Sequence, residues 1–401
     1  MVRLHRCVVI GAGVLGASVA ARLAETGMHV TLLEADQPGR GTSRWSFAWV
    51  NSNDKGPRPY HDLNHAGLRA WAQLAPALDG AAWYRPAGNL ELATPGLAVR
   101  VRRLTGWGYS ARLIGAAEAA EIEPALRSPG PDTATAWFPD EAYLLTEPLI
   151  ERLIARATAH GATLLTGEQG RVTGLEAGRV RTAAGDVLAA DEIVCCVGRW
   201  TPQLTALAGA AGPVPLIPWD TVGATAPGLV VRAGPVTRAA PIRVLHTPEL
   251  ALRPHPGGLL HLEAPDAAVD LHTPDRELRR WAAELLDRAR RAVYGLDEAR
   301  VVACQVCVRP MPADEVSIVG RPPGAEWLYV AVTHSGVTLA AHLSRLIAAE
   351  LAAGAPSTEL APYRPDRFAG TAVHITGATN GEVIGRGLPA AHVRRDSRLA
   401  G

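Results

Sequence analysis

Three glycines and one acid near the amino end have the spacing of a dinucleotide-binding loop. Gly11, Gly13 and Gly16 follow the apolar run at 7–10, and Glu34 lies about 20 residues further on. The first glycine allows a tight turn, the second lets the backbone approach a pyrophosphate, and the third lets a helix pack closely on a strand. Amides at the helix amino end attract the anion, and Glu34 would accept hydrogen bonds from ribose hydroxyls. The pattern predicts an adenine dinucleotide, and the acid disfavours NADP.

A polar loop, GRGTSRWSF, follows at 39–47 and distinguishes between the cofactors. It could supply further donors to a diphosphate. A long embedded flavin needs such a second loop, whereas an NAD site usually does not, so the loop favours FAD. The predicted cofactor-binding residues of the two loops are, besides the glycines and Glu34, Val14, Leu15, Ala35, Gly41, Thr42, Ser43, Arg44, Ser46 and Phe47.

The elements that would position these residues follow a strand, helix, strand order. Residues 14–23 are alanine-rich and helical in character, and residues 29–33 are β-branched, so the opening segment has the size of one βαβ unit. Two further strands are predicted at 192–197 and 327–333, each running into a glycine turn. The helical run 337–353 follows the second of them.

Stretches rich in proline and turns separate these strands and predict a second domain. Short alternating segments such as 259–263 are typical of antiparallel strands. We therefore expect an α/β fold in which two discontinuous domains interleave. The expected parts are a Rossmann-like FAD-binding domain (1–80, 141–212 and 300–368), an α+β substrate-binding domain built on an antiparallel sheet (81–140 and 213–299), and a loosely ordered C-terminal extension (369–401).

Composition narrows the class of protein further. The 401 residues are 48% hydrophobic and 20% charged, which is a globular composition and excludes a disordered chain. The net charge of +1 offers no basic footprint for nucleic acid or an anionic membrane. Five cysteines, mostly in apolar runs, are typical of a reducing compartment. With neither a signal peptide nor an apolar run of about 18 residues, we expect a cytoplasmic protein without a membrane span.

These motifs together resemble the FAD-dependent amine and amino-acid oxidoreductases, a family that includes monomeric sarcosine oxidase, glycine oxidase and D-amino-acid dehydrogenases. The similarity runs from about residue 6 to about residue 368 and rests also on the segments RVTGL, IVCCVGRW, CVRPMPADEVSIVG and THSGVTLA. It implies that Val172 holds the adenine through its backbone. It further implies flavin contacts from Cys196, Val197, Gly198 and Trp200, and contacts at the pyrimidine end from His334, Ser335, Gly336, Val337 and Thr338, with backbone or hydroxyl donors from the last three.

One predicted β-strand within these matching segments carries two residues that could do chemistry. Strand periodicity places Cys307 and Arg309 on one face and Cys304 on the other, which disfavours a CxxC metal or redox site. Cys307 stands where sarcosine oxidases bear the cysteine bonded to the flavin 8α-methyl; the alternative is a small buried hydrophobe. Arg309 matches the arginine that clamps the substrate carboxylate in glycine oxidase; the alternative is a structural salt bridge.

Two histidines are further candidates for the substrate side. The resemblance places His261 near the lysine that activates oxygen in sarcosine oxidase, and as a histidine it would supply a positive charge only when protonated. The alternatives are a dehydrogenase, or a strand histidine paired with a neighbouring acid. His334 either binds substrate or is a turn histidine bonded to backbone. Ser46, Trp49 and Asn51 stand in the region of the arginine-bearing loop of sarcosine oxidase, so the substrate is expected to differ from sarcosine.

The resemblance implies an FAD-dependent enzyme that oxidises the C–N bond of an amino acid or N-substituted glycine. Hydride would pass to flavin N5 and the imine would hydrolyse, with oxygen, giving hydrogen peroxide, or an electron carrier as acceptor. No side-chain acid or base is required, in keeping with the absence of an obvious dyad. Alternatives are an FAD-dependent 2-hydroxy-acid dehydrogenase and a non-catalytic flavoprotein subunit. The sequence has no HExxH, P-loop or GxSxG motif, and no metal is predicted.

Overall fold

Two large sheets dominate the structure, a computed structural model that describes residues 5–127, 130, 132–210, 214–237 and 240–369. The strands of the described chain are β1 (Arg6–Ile10), β2 (His29–Glu34), β3 (Trp49–Val50), β4 (Tyr84–Arg85), β5 (Asn89–Leu92), β6 (Arg112–Ile114), β7 (Thr135–Phe138), β8 (Ala142–Leu144), β9 (Thr163–Thr166), β10 (Val172–Glu176), β11 (Arg179–Thr182), β12 (Val187–Ala189), β13 (Glu192–Cys195), β14 (Pro227–Gly234), β15 (Val244–Thr247), β16 (Leu250–His255), β17 (Leu259–Glu263), β18 (Arg300–Val308), β19 (Ile318–Gly320) and β20 (Leu328–Val332). The helices are α1 (Val14–Glu25), α2 (Thr42–Trp45), α3 (Arg58–Leu74), α4 (Leu97–Gly106), α5 (Ala116–Ile122), α6 (Thr146–Ala159), α7 (Thr201–Leu207), α8 (Asp275–Ala292) and α9 (Gly336–Ala353).

The first sheet has six strands in the order β19-β20-β13-β1-β2-β9. All neighbours pair in parallel except β19, which runs antiparallel to β20. The α1 helix packs against α6 and α9, and its small side chains permit burial on nearly every side. Parallel strands end at one edge of a sheet, so the loops that follow β1, β13 and β20 meet there. This arrangement confirms the predicted α/β fold with its opening βαβ unit.

The second sheet has eight strands in the order β18-β14-β17-β16-β15-β5-β7-β6, antiparallel except between β15 and β5. Its strands are amphipathic. Leu260 and Leu262 of β17 pack in a core with α8, whereas His261 and Glu263 alternate onto the opposite face. Directly opposed residues share a face, so Arg232 of β14 and Arg253 of β16, both opposite His261, lie on that polar face too.

One predicted domain boundary differs from the sheet boundary. The prediction assigned residues from 300 onward to the FAD-binding domain, but β18 pairs with β14 along its whole length and belongs to the eight-stranded sheet. The chain returns to the six-stranded sheet only at β19, because a strand whose apolar side faces α8 is buried best in the second sheet. Of the predicted C-terminal extension, residues 370–401 lie outside the described residues.

The α9 helix also departs from expectation. By length and composition alone it is apolar enough to cross a membrane, although the sequence was expected to hold no such run. In the structure 67% of this helix is buried, and it packs against α1 and α3. The apolar side chains of α9 therefore pack in the protein core.

We predict that Trp71→Ala strongly destabilises the protein. Trp71 is 0% exposed, donates from Nε1 to the Val337 carbonyl at 2.7 Å, and packs edge-on against Trp83. The cavity and the lost hydrogen bond should lower the free energy of unfolding by about 3–5 kcal/mol. Thermal unfolding followed by circular dichroism measures the change. Val222→Ala, at a residue that is 81% exposed, is the control and should change stability by less than about 0.5 kcal/mol; equal melting temperatures for the two variants would contradict this packing.

Candidate active site

The glycine loop after β1 is closed so tightly that two of its glycines cannot be replaced. Gly11 has φ +97°, and a Cβ there would lie 2.7 Å from the Cys196 carbonyl oxygen. A Cβ on Gly16 would lie 1.8 Å from the Gly11 carbonyl oxygen. Gly13 is less confined, since its Cβ would lie 3.2 Å from Ser43 Oγ. The turn, the helix and the segment after β13 therefore form one cradle.

Glu34 at the end of β2 is fixed beside this cradle by backbone amides. Its Oε2 accepts from Ala12 N at 2.9 Å and its Oε1 from Asp36 N at 3.1 Å. Burial raises the pKa of the carboxyl above its ordinary value, and these amides oppose that shift. The Ala35 carbonyl accepts from Arg171 Nη2 at 3.3 Å, just before β10. Glu34 and Ala35 thus lie next to the strand that begins at the predicted adenine contact.

Val172, the predicted adenine contact, lies close to Glu34 in the structure. It begins β10 and is 6% exposed. The preceding chain passes close to Glu34, since a Cβ on Gly170 would lie 2.3 Å from the Glu34 carbonyl oxygen. The backbone of Val172 is therefore near the residue predicted to bind ribose.

The second loop, around α2, is tied to three other elements. Ser43 Oγ accepts from Val14 N at 3.1 Å, in the first turn of α1. Thr42 Oγ1 donates to the Val308 carbonyl and accepts from Arg199 Nη1 at 3.2 Å. The loop thereby links the glycine cradle to the end of β18. Leu15, beside Val14, is buried in the first turn of α1.

Arg44, predicted as a further donor to the diphosphate, is held beside α6 in this structure. Its Nε lies 3.2 Å from the Glu147 carboxylate, which pairs the guanidinium with α6. Its carbonyl accepts from Arg232 Nη2 at 3.1 Å. Ser46 Oγ accepts from Ala48 N at 3.0 Å, and Ala48 has φ 57°, a left-handed conformation that costs a non-glycine residue free energy. The loop at 44–48 is thus held in a strained path from the side of the second sheet.

The segment after β13 lies against the same loop. Cys196 N donates to the Ile10 carbonyl at 2.8 Å, which fixes Cys196 and Val197 beside the glycine cradle. The chain turns at Gly198, whose φ is +59°. The Trp200 ring then lies 3.4 Å from the position of a Cβ on Gly41. Cys196 and Val197 therefore lie at the glycine cradle, and Trp200 lies at the second loop.

The amino end of α9 follows β20, the third of the parallel strands whose carboxyl ends meet in this region. Ser335 precedes the helix and makes no side-chain cap within the described chain, so the amides at Gly336 and Val337 are left uncapped by a side chain. Thr338 Oγ1 donates to the Trp49 carbonyl at 3.2 Å and accepts from Asn51 N at 3.4 Å. The hydroxyl of Thr338 is thus engaged, and the backbone is the part left to face a ligand.

Arg253 joins the polar face of the eight-stranded sheet to the second loop. It is 3% exposed, and its Nε donates to the Phe47 carbonyl. Its Nη1 donates to the Pro254 carbonyl at 2.9 Å, and its Nη2 donates to His261 Nδ1 at 3.4 Å. The guanidinium also lies 4.9 Å from the centre of the Tyr143 ring. A buried positive charge is thereby placed beside the loop that carries Phe47.

His261 is neutral, contrary to the positive charge considered for it. Burial, followed by the charges of Arg253 and Arg232, holds its pKa well below the ordinary value. Its partner is an arginine rather than the neighbouring acid of the alternative interpretation. The permanent positive charge beside this position belongs to Arg253.

Arg309 lies among the remaining candidates and has no acidic partner within 4 Å in the described chain. Its Nε donates to the Ala226 carbonyl at 3.0 Å and its Nη2 to the Thr225 carbonyl at 3.1 Å. The described residues therefore give Arg309 no direct salt bridge of the kind considered as the alternative interpretation. Its charge lowers the pKa of His334, after burial and Lys55, to about 3, so His334 is neutral. The His334 ring makes no hydrogen bond within the described residues.

Cys307 is buried behind this charge and packs against the second loop. Its Sγ donates to the Thr42 carbonyl at 3.7 Å. Burial and the charge of Glu263 raise the pKa of the thiol to about 12. Cys304 packs on the opposite, apolar face with α8, as strand periodicity predicted. The described residues contain no group of His, Cys, Asp and Glu side chains arranged to hold a metal.

Sequence reasoning missed the charged residues of the polar face. Arg253 and Glu263 sit in the alternating segments LALRPH and LLHLE, in which every second residue is apolar. That alternation identified strands, but a charge on the non-apolar side of a strand usually faces solvent. Only the pairing of the sheet with the second loop turns this side inward.

The residues gathered here fit an FAD. The cofactor is rich in nitrogen and oxygen, and several buried polar atoms around the second loop and the polar face lack a protein partner within the described chain. These atoms are Arg199 Nε, Arg232 Nε, His255 Nδ1, His261 Nε2 and Asn51 Oδ1. The glycine cradle, Glu34 and the uncapped amino end of α9 complete a path from adenosine to flavin.

Comparisons with known proteins agree with this geometry. Residues 6–350 match the family model described as FAD dependent oxidoreductase. Glycine oxidase of Geobacillus kaustophilus is 25% identical over 92% of this chain and 99% of its own length. D-amino acid dehydrogenase of Methylobacterium nodulans is 27% identical over 88% and 96%. The crystal structure of L-proline dehydrogenase from P. horikoshii superposes with a TM-score of 0.78 at 20% identity, covering 91% of this chain and 98% of that one, which shows a shared fold.

We predict that Gly16→Ala abolishes retention of the dinucleotide. The new Cβ would meet the Gly11 carbonyl, which is backbone and cannot rotate away, so the cradle must open. The ratio of visible flavin absorbance to protein absorbance after purification should fall at least about tenfold, a loss of about 1.4 kcal/mol or more in binding. Gly106→Ala, in the last turn of α4 with open space around the added Cβ, is the matched control. A yellow Gly16→Ala protein with the flavin content of the control would refute the cradle.

Proposed function

Because the chain belongs to the family of FAD-dependent oxidoreductases, we propose that it oxidises the C–N bond of a small amino acid or N-substituted glycine. FAD, when bound, accepts the hydride from the carbon next to the substrate nitrogen. The observation that carries the proposal is Arg309, whose charge lies at the junction of the two sheets without an acidic partner among the described residues. The names of the relatives, glycine oxidase and D-amino acid dehydrogenase, support the same substrate class.

The side chains of this chain would bind and orient the substrate. Arg309 presents a planar guanidinium that suits both oxygens of a carboxylate. His334 and His261, both neutral, add no charge that would repel an amine. Phe47 is buried and lies edge-on to His261 with ring centres 5.8 Å apart, which keeps water from that side. Arg309 would therefore hold the carboxylate, and neither histidine would repel the amine.

We propose oxygen or an electron carrier as the final acceptor, and the cytoplasm as the location. All five cysteines are free thiols, which supports a reducing compartment.

The purified protein should be mixed anaerobically with glycine, sarcosine, D-alanine, L-proline and lactate while visible flavin absorbance is followed. Bleaching by an amine and not by lactate supports the proposal. Bleaching by lactate alone favours the 2-hydroxy-acid alternative, and bleaching by none of the probes at millimolar concentration contradicts the proposal. Admitting air and measuring peroxide separates oxidase from dehydrogenase.

We predict that Arg309→Leu raises the KM for every carboxylate-bearing substrate by about 100-fold, because the loss of charge-assisted hydrogen bonds costs about 3 kcal/mol. Steady-state kinetics on the amine found by the anaerobic screen measures the change. Arg300→Leu removes an exposed guanidinium from the other end of the same strand and is the matched control. An unchanged KM for Arg309→Leu would overturn the assignment of Arg309 as the carboxylate clamp.

We predict that the flavin is held without a covalent bond to Cys307. A thioether requires the thiolate, and burial with Glu263 nearby disfavours that form of Cys307. Acid-precipitated protein should release its flavin into the supernatant, and Cys307→Ala and Cys304→Ala should release it equally. Yellow colour that stays in the wild-type and Cys304→Ala pellets but leaves the Cys307→Ala pellet would establish the thioether instead.

A further inference from the structure

Glu263 is a carboxylate on the polar face that none of the roles above uses. It lies at the end of β17, on the same face as His261. The residues directly opposite it are Val230 on β14 and Ala251 on β16. Neither neighbour can neutralise or hydrogen-bond a carboxylate through its side chain. The carboxyl group therefore projects from the sheet toward the second loop without a lateral partner.

The arginines near Glu263 influence it without pairing with it. Their charges lower its pKa, Arg309 more than Arg253, and the Phe47 amide stabilises the carboxylate through a hydrogen bond. Arg309 is engaged by the carbonyls of 225–226, and Arg253 by carbonyls and His261. Within the described residues no ion pair shorter than 4 Å involves Glu263. A partly buried carboxylate in this environment is stabilised when a cation comes to it.

The proposed substrate brings such a cation. An amino acid in neutral water carries an ammonium group one carbon away from its carboxylate. Hydride can leave the α-carbon only when the nitrogen lone pair is free, so the ammonium must first lose a proton. Once Arg309 holds the carboxylate, the nitrogen lies one carbon away from it, near the charges that interact with Arg309, which include Glu263. The site thus offers one fixed positive and one fixed negative group to a zwitterion.

We propose that Glu263 accepts the ammonium proton of the bound amino acid. This inference rests on the proposed function and adds to it a side-chain base, which the sequence did not predict. In the step, one N–H bond of the ammonium breaks and one O–H bond forms on Glu263. The nitrogen keeps the electron pair, and total charge is conserved because the ammonium and the carboxylate both become neutral. No oxidant or other reactant is needed.

The groups that face Glu263 do not change charge near neutral pH, so its own titration is visible. Arginine guanidinium groups, here those of Arg309, Arg253 and Arg232, carry a positive charge at neutral pH. His261 and His255 stay neutral because burial and the arginines lower their pKa values. Cys307 stays a thiol. Burial raises the pKa of Glu263 to about 7. Below that pH Glu263 already holds a proton and cannot accept another, so the rate of flavin reduction should fall as pH decreases through about 7.

The first test compares wild type with Glu263→Gln in anaerobic stopped-flow reduction, using glycine, sarcosine, D-alanine and L-proline between pH 6 and 10. At pH 7.5 the variant should reduce about 100-fold more slowly at low substrate, the usual contribution of a general base. It should recover toward pH 10, where free amine exists in solution. Glu249→Gln, at an exposed acid in the turn between β15 and β16, is the matched control and should keep the wild-type profile.

The second test measures protons rather than activity. 2-Aminoisobutyrate has an amine and a carboxylate but no α-hydrogen, so it binds without reacting. Calorimetry at pH 8 in buffers of different ionisation enthalpy should show no net proton release for wild-type holoenzyme, because the proton moves to Glu263. Glu263→Gln should release about one proton per site. Equal proton release by both proteins would overturn the proposal.

The outcomes separate this inference from the proposed function. If no amine reduces the wild-type flavin, the proposed function fails. If an amine does, but Glu263→Gln keeps either the wild-type pH profile or the wild-type proton count, only the role of Glu263 fails. A variant that retains flavin absorbance and melting temperature shows that the comparison is made between folded proteins.

Discussion

The burial of a polar sheet face is the constraint on which the rest of this structure depends. Most antiparallel sheets bury one face and leave the other to water. Here the apolar face packs on α8, and the opposite face, bearing Arg232, Arg253 and His261, is covered by the second loop. Polar groups buried in this way cost free energy unless they are paired. The hydrogen bonds from the arginines to the loop carbonyls supply that pairing, and in doing so they fix the loop that also contacts the glycine cradle.

This arrangement links the two sheets through side-chain hydrogen bonds, in addition to the core cluster that Val244 and Ala251 of the second sheet share with strands of the first. Arg253 reaches the Phe47 carbonyl across 206 residues of sequence, and Arg232 reaches the Arg44 carbonyl across 188. The Thr42 hydroxyl adds a bond to the end of β18. The loop is therefore held by the substrate-side sheet while its Ser43 hydroxyl accepts from the first turn of α1. The geometry of the dinucleotide loop and that of the polar face are consequently coupled.

These long separations in sequence explain why some features could be predicted from the sequence and others could not. The βαβ unit, the spacing of Glu34 and the alternation at 259–263 are local patterns, and all of them could be predicted. The opposite faces of Cys304 and Cys307 also followed from strand periodicity. The pairing of Arg44 with Glu147 and the membership of β18 in the second sheet depend on residues far away in the chain, and the neutrality of His261 depends on the burial of its strand face. Periodicity says which side a residue takes, but not what covers that side.

The charges on the polar face bear on which substrates the site would favour. If Arg309 alone defined the site, any small carboxylate would be accepted, and a 2-hydroxy acid would bind as well as an amino acid. Glu263 changes this balance, because a hydroxyl group carries no charge to set against a carboxylate that has no ion pair within the described chain. A zwitterion places a charge opposite each fixed group, and the proton that must leave its nitrogen has an acceptor. The discrimination between amine and alcohol would then arise from the cost of burying Glu263 without a cation.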